Sequence, residues 1–303
     1  MAVSRPARVA AVSARHAWAV AVMVAAALVL AGCTATAPEG SHAPPSFIAP
    51  PGSPPAWMLT RAALAQMVAS PAIRTGLERT RVYELLSPGQ APLAAAGALP
   101  VVTFSAVSEL ESAVTGNQLP PGTRGVLYDP EAWPFTPAFE QRDPARAARQ
   151  AMGIAHAHGL KLICAPALSL TTAQPGGPGP RWRQFLDLGL AGSLARTCDV
   201  IELQAQSLER DTATYEAFVR AAAAQAREAN PRVIVLAGLS TNPPGAEVSS
   251  QQLADAIRAT SGLVSGYWLN IPGRGPRCPN CNPPQPEVGR QALQAILPAA
   301  HLP

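Results

Sequence analysis

Val200-Ile-Glu-Leu-Gln-Ala-Gln206 is a strand-length segment whose two faces differ in character. Because successive side chains of a strand point to opposite faces, Glu202, Gln204 and Gln206 share one face, while the other face is apolar. An open sheet covered by helices would need apolar residues on both faces. A closed barrel lets a polar face point into the top of its interior, where such barrels keep their functional groups. The segment therefore favours a barrel over an open sheet.

Apolar runs of strand length alternate with helical patterns along the chain, as in repeated βα units. The runs lie at 82–86, 100–104, 125–128, 160–165, 200–205, 233–237 and 266–271, and the helical patterns at 60–70, 107–114, 144–158, 182–196, 212–228, 251–260 and 287–297. Apolar strands separated by helices indicate a parallel sheet that is covered on both sides. Seven runs fit a (β/α)8 TIM-like barrel with one strand missed or irregular, and the alternative is an open doubly wound parallel sheet. We predict the barrel, as a single domain over residues 57–303.

The beginning of the chain has the layout of an export signal. Three arginines precede an apolar run over 17–31, which is too short for a comfortable membrane span, and Leu30-Ala-Gly-Cys33 ends it. This tetrapeptide resembles the lipobox of bacterial lipoproteins. The resemblance implies that residues 1–32 are a signal peptide and that Cys33 is acylated and held on the extracytoplasmic face of the cell membrane. An ordinary cleaved signal and an N-terminal anchor helix are the alternatives.

Composition limits the classes of partner. Residues 33–56 are rich in proline and poor in apolar side chains, which predicts an extended tether. Loss of residues 1–32 removes three of the 23 basic residues and none of the 19 acidic ones, so the mature chain is nearly neutral. Without clusters of basic residues, nucleic-acid binding is excluded.

All basic residues except Lys161 are arginine, which is typical of a high-GC bacterium. No glycine-rich phosphate motif or convergent histidine pair is present, so neither a cofactor nor a metal is predicted.

Acylation of Cys33 would leave four cysteines in an oxidising compartment. Cys278-Pro-Asn-Cys281 lies in a loop crowded with proline, where a local disulfide would replace missing regular hydrogen bonds. We predict that disulfide; a zinc site and a redox-active pair are the alternatives. For Cys164 and Cys198, a disulfide and two buried thiols on neighbouring strands both remain open.

Polar and aromatic residues gather where the predicted strands end. The C-terminal ends of barrel strands meet at one face, so these residues are expected to form one site. Carboxylates and amides pair with hydroxyl groups and indole rings stack on sugar faces, so the set suits carbohydrate recognition. The candidates are Asp129, Glu131, Trp133, Gln204, Gln206, Asn242, Trp268 and Asn270, with Glu202 deeper in its strand. Trp268 is expected either to form the floor of the site or to fill the barrel core.

An exported barrel with Asp-x-Glu after one strand, an acidic residue inside another and a tryptophan on a late strand resembles in layout the barrels of glycoside hydrolases. The resemblance covers residues 81–271 and implies a surface-tethered enzyme that acts on polysaccharide. Glu202 would be the general acid, and Asp129 or Glu131, on an exposed loop, would stay ionised as nucleophile or base. The alternative is a non-catalytic barrel that binds a glycan or a protein, with Glu202 satisfied inside a hydrogen-bond network.

Overall fold

The computed structural model describes residues 46–47, 52–93, 95–175, 177–243, 247–275 and 277–297. All of them belong to one compact unit, Pro44–Pro303. The predicted signal peptide at 1–32, the acylation site Cys33 and most of the predicted tether lie outside the described residues. Within the described ranges, no helix is both long enough and apolar enough to cross a membrane.

Eight parallel strands of the described chain form a closed barrel, in which each strand pairs with its neighbours in sequence and the last pairs with the first. They are β1 (Ala56–Thr60), β2 (Val82–Leu86), β3 (Leu99–Phe104), β4 (Gly125–Tyr128), β5 (Lys161–Cys164), β6 (Val200–Leu203), β7 (Ile234–Ser240) and β8 (Gly266–Asn270). The predicted (β/α)8 barrel is confirmed, and the open sheet is not formed. The strand absent from the prediction is β1, which pairs with β2 and β8.

Helices cover the outside of the barrel. They are α1 (Arg61–Val68), α2 (Pro71–Glu78), α3 (Val107–Thr115), α4 (Ala138–Arg142), α5 (Pro144–Ala157), α6 (Arg181–Asp187), α7 (Leu190–Ala195), α8 (Thr212–Ala229), α9 (Ser250–Thr260) and α10 (Pro286–Ile296), with a 3-10 helix at Leu168–Ala173. Side-chain caps begin two of these helices: the Asp143 side chain accepts a hydrogen bond from the Arg146 N–H, and Ser249 begins a capping box. The single helix predicted over 182–196 is divided, because Gly189 takes a left-handed conformation with φ 62°.

Alternate residues of the strands belong to two separate apolar cores. On β6, Ile201 and Leu203 join the outer core that packs against the helices, whereas Val200 joins the core inside the barrel. Since Glu202 and Gln204 share the face of Val200, the polar face of this segment points into the barrel, as predicted. The strand itself is shorter than predicted and ends at Leu203.

Phe47 closes the N-terminal end of the barrel. Its ring is buried in the inner core and lies 5.1 Å from the ring of Tyr83, whose hydroxyl donates a 2.8 Å hydrogen bond to the Phe47 carbonyl. Gly125 leaves the space for this ring, because a Cβ atom there would lie 2.8 Å from it. Phe47 and Ala56 were both assigned to the tether at 33–56. That assignment is wrong for these two residues, because Phe47 is buried in the barrel and Ala56 begins β1.

Two disulfides are formed among the described cysteines. Cys278 and Cys281 are bonded, with their Cα atoms 5.4 Å apart, which confirms the predicted local disulfide. Cys164 at the end of β5 is bonded to Cys198 just before β6, with a Cα separation of 6.0 Å. Both residues of this second pair are buried, so the bond joins two neighbouring strands from within the outer core.

Candidate functional site

A cavity of about 1020 Å³ opens at the C-terminal end of the barrel. Its walls come from the strand ends and from the loops that follow β4, β5, β6 and β8. It is lined by most of the predicted site residues, namely Asp129, Glu131, Trp133, Gln204, Gln206, Trp268 and Asn270. The barrel brings them together because parallel strands direct all their C-terminal ends to one face. Glu202 and Asn242 are the two predicted residues that do not line the cavity.

The loop after β4 is held close to the barrel by Thr136. Its hydroxyl accepts hydrogen bonds from the Glu131 N–H at 3.2 Å and from the Trp133 indole N–H at 2.8 Å. The same hydroxyl donates to the carbonyl of Ser105 at the end of β3, at 3.0 Å. Asp129 is consequently only 5% exposed. The expectation that it lies on an exposed loop is wrong, because this network folds the loop back over the strand ends.

Gln204 fixes the carboxyl group of Asp129. Its side-chain amide donates to Asp129 Oδ1 at 2.6 Å and to the carbonyl of Ala165 at 2.7 Å, so one amide joins the ends of β4, β5 and β6. Burial raises the pKa of Asp129 well above its usual value, and the charge of Glu131 raises it further. The guanidinium of Arg277 and the hydrogen bond from Gln204 lower this pKa and so oppose both effects.

Glu131 is half-buried on the cavity wall. Burial raises its pKa to about 7, against the lowering effect of Arg277. A carboxyl group with a pKa near 7 can both donate and accept a proton at neutral pH. Burial therefore raises the pKa of carboxyl groups on the β4 loop as well as that of Glu202 on β6. The structure does not show the predicted combination of one protonated acid with one exposed, ionised carboxylate.

Glu202 lies beneath the cavity rather than on its wall. It is 0% exposed, and neither carboxylate oxygen has a hydrogen-bond partner among the described residues. Burial raises its pKa well above the usual value, and the charges of Asp129 and Glu131 raise it further. Both effects favour the protonated, neutral form of Glu202. The predicted role as general acid needs a protonated carboxyl group, but this depth separates Glu202 from any ligand in the cavity.

Trp268 and Gln206 occupy the upper interior of the barrel. Trp268, only 7% exposed, belongs to the inner core and also lines the cavity. The amide of Gln206 lies over Gly238 of β7, where a Cβ atom would come within 2.5 Å of it. Within the described chain, the Trp268 indole N–H and Gln206 Oε1 are buried without a hydrogen-bond partner. These two atoms and the Glu202 carboxyl form a set of unpaired polar groups under the cavity.

Asn242 holds a loop and does not face a ligand. It is 2% exposed, and its side-chain amide donates to the carbonyls of Asn282 at 2.8 Å and Pro283 at 3.1 Å. The prediction of a ligand-binding role is wrong for this residue, because its donors are used by the segment between β8 and α10. Asn270, at the end of β8, is half-buried and lines the cavity, as predicted.

The sequence prediction did not include Arg277. Its guanidinium carbon lies 5.6 Å from the ring centres of Trp133 and of Phe135, whose rings meet edge to face. It is also the cation that lowers the pKa of both Asp129 and Glu131. Its place directly before Cys278, in a loop that follows a barrel strand, was the signal that could have identified it.

Other buried acidic groups serve the scaffold. Glu140 accepts hydrogen bonds from the Tyr128 hydroxyl at 2.9 Å and from the N–H of Val107, which ties α4 to β4 and α3. Glu209 accepts from the Ser240 N–H at 2.7 Å and so joins the loop after β6 to the end of β7. Among the described residues, no group of three or more His, Cys, Asp or Glu side chains is arranged to hold a metal ion.

No protein-family model and no curated protein matches the chain. Among solved structures, a chitinase from Chromobacterium violaceum is 11% identical with a TM-score of 0.45 and covers 80% of this chain and 98% of its own. Triosephosphate isomerase from Bartonella henselae is 13% identical with a TM-score of 0.39, covering 71% and 91%. A spore cortex-lytic enzyme from Bacillus megaterium is 10% identical with a TM-score of 0.41, covering 71% and 69%. Similarity at this level does not assign an activity to this chain.

Proposed function

We propose that the protein is a surface-tethered glycoside hydrolase that cleaves a polysaccharide by acid/base catalysis with Asp129 and Glu131. The observation that carries this proposal is the pairing of these two carboxyl groups beside one large cavity, with the pKa of each raised by burial. Hydrolysis of a glycosidic bond needs one protonated and one ionised carboxyl group at the reaction centre. Two neighbouring acids whose charges repel each other hold one proton between them over a wide pH range.

Glu131 is the better general acid of the two. It lines the cavity, and its pKa of about 7 leaves it partly protonated at neutral pH. In the molecules in which Glu131 holds the shared proton, Asp129 carries the negative charge, and the Gln204 hydrogen bond stabilises that ionised form against the burial that raises its pKa. Glu202 lies below the pair. In its protonated form it is uncharged and adds no third negative charge to the site. This assignment moves the acid role from Glu202 to Glu131, because Glu131 lines the cavity and Glu202 does not.

Aromatic rings on the cavity wall support a sugar as the ligand. Trp133 and Phe135 form one shelf on the β4 loop, and Trp268 lies at the floor. Indole rings offer flat apolar surface with a polar edge, which suits the faces of pyranose rings. Gln206 and Asn270 add amide groups that can pair with hydroxyls, and Gln204, whose N–H donors are used by Asp129 and Ala165, offers its carbonyl oxygen. The cavity therefore provides both the stacking surfaces and the hydrogen-bonding groups that sugar recognition needs.

The proposed location is the extracytoplasmic face of the cell membrane, through a lipid on Cys33. Its support is the segment Leu30-Ala-Gly-Cys33 after a basic start and a short apolar run. The proline-rich residues that follow would form an extended tether that holds the catalytic domain away from the membrane surface.

Incubation of the purified full-length chain with a panel of polysaccharides tests the proposal, with released reducing ends as the readout. Glu131→Gln should remove the release while leaving retention of the same polysaccharide in affinity electrophoresis. Glu111→Gln is the matched control, because Glu111 is exposed on α3, outside the cavity. Retention without any release by the wild-type chain would instead identify a carbohydrate-binding protein without catalysis.

A further inference from the structure

The segment between β8 and α10 forms one wall of the cavity. It contributes Pro272, Gly273, Gly275, Arg277, Cys278 and Cys281 to the lining. In its described part, the only regular pairing is a single bridge between Gly275 and Cys278. A wall of this kind needs other restraints if it is to hold a side chain in place, because a loop without such restraints samples many conformations.

Three restraints surround Arg277. The disulfide joins Cys278, the next residue, to Cys281. Gly275 and Cys278 exchange two backbone hydrogen bonds, of 3.0 and 3.2 Å, on either side of Arg277. The buried amide of Asn242 binds the carbonyls that directly follow Cys281 in the chain. The backbone of Arg277 is thus fixed from both directions, although its side chain is exposed.

The fixed position places a positive charge on the wall of the cavity that Asp129 and Glu131 also line. The guanidinium of Arg277 lies over the shelf formed by Trp133 and Phe135, a cation–π arrangement that orients it toward the β4 loop. We propose that Arg277 is a positioning residue of this site: the Cys278–Cys281 disulfide holds its guanidinium beside the acidic pair, where it keeps negative charge on that pair stable inside the cavity.

The charged groups around Asp129 and Glu131 determine how strongly Arg277 stabilises the ionised forms of these two residues. Glu131 faces Asp129 from its own loop, Glu202 from β6 below, and Arg277 from the segment after β8. Arg61 and Arg181 line other parts of the same cavity. Burial disfavours the ionised form of Glu131, and Arg277 is the cation that lowers its pKa. Without Arg277, the pair would stay protonated to a higher pH.

This inference rests on the proposed function for the role of the pair, but its test reads the carboxyl groups directly. The side-chain carboxyl carbons of the full-length chain are followed by NMR across a pH series. Arg277→Gln should raise the titration midpoint of Glu131, as loss of an opposite charge does. Arg277→Lys keeps the positive charge, so its Glu131 midpoint should lie close to that of the wild type.

Two further variants separate positioning from other causes. The double variant Cys278→Ser, Cys281→Ser keeps Arg277 but should raise the Glu131 midpoint in the same direction, because the guanidinium is no longer held. Arg149→Gln, exposed on α5 and outside the cavity lining, removes an equal charge and should leave the midpoint unchanged. An unchanged midpoint in Arg277→Gln or in the double serine variant would overturn the inference, as would an equal shift in Arg149→Gln. Failure to hydrolyse any polysaccharide would leave these midpoints intact, so the two proposals fail separately.

Discussion

The side-chain amide of Gln204 donates a 2.6 Å hydrogen bond to the carboxyl group of Asp129. The two residues follow β6 and β4, with β5 between them, and the same amide also binds the carbonyl of Ala165 after β5. One side chain therefore ties three strand ends together under the cavity. The position of the acidic pair depends on this contact.

Replacing Gln204 by Met keeps a side chain of similar length and removes both donated hydrogen bonds. Because buried acceptors on Asp129 and Ala165 then lose their partner, the free energy of unfolding should fall by about 1–3 kcal/mol. Gln251→Met is the control, since its amide donates to Asp255 on the exposed face of α9. Denaturant unfolding at neutral pH measures both variants. Equal effects in the two would show that the Gln204 contact does not stabilise the barrel.

Glu202→Gln replaces a buried carboxyl group by a neutral amide of the same shape. Burial raises the pKa of Glu202, so the folded protein keeps a proton that the unfolded chain releases, and this group's contribution to stability is lost as pH rises from the unfolded toward the folded pKa. The amide has no such loss. The free energy of unfolding of Glu202→Gln should therefore gain on that of the wild type between about pH 4 and about pH 7. Parallel curves over this range, measured by denaturant unfolding, would argue against a raised pKa.

Trp268 and Trp133 should respond differently to truncation. Trp268 fills the inner core, so Trp268→Ala should lower the free energy of unfolding by about 3–5 kcal/mol. Trp133 is half-buried and bonded to Thr136, so Trp133→Ala should cost only about 1 kcal/mol while weakening polysaccharide retention. Thermal melts and affinity electrophoresis separate the two effects. Unchanged retention in Trp133→Ala would remove the aromatic shelf from the proposed site.

Cys33→Ala should abolish lipid attachment, because a thioether to diacylglycerol can form only at cysteine. We expect the variant in the soluble fraction, or retained with its leader uncleaved. Fractionation with intact-mass measurement of the protein checks this. A variant that stays membrane-bound at the mature mass would contradict the lipoprotein prediction. The barrel itself should be unaffected, since the described domain begins well after this residue.

The alternation of polar and apolar residues from Val200 to Gln206 was sufficient to predict a barrel, because only a closed sheet places a polar strand face in its interior. Strand β1 was missed for a local reason. Ala56-Trp-Met-Leu-Thr60 is five residues long, directly follows a proline-rich segment and runs straight into α1, so no turn residues mark its end. Its strand character depends on pairing with β2 and β8, which are distant in sequence from each other.

Most of the candidate site could also be predicted, since residues just after parallel strands meet at one face. The sequence could not indicate how deeply each of these residues is buried. Asp129 appeared exposed because Pro130 opens a turn, and only the hydroxyl of Thr136 explains why that loop folds inward. Asn242 appeared available, but its amide is used by another loop. Such contacts join residues that are far apart in the chain, so no local sequence pattern predicts them.

The rate of polysaccharide hydrolysis as a function of pH, for the wild type and for Glu131→Gln, tests the central claim most directly. Because the pKa of Glu131 is about 7, the wild-type rate should fall as pH rises above that value and the acid loses its proton. Glu131→Gln should be slower by about 10²- to 10⁴-fold and should lose this dependence. A variant that hydrolyses the same polysaccharide at the wild-type rate, with the same fall above pH 7, would contradict the assignment of Glu131 as the general acid.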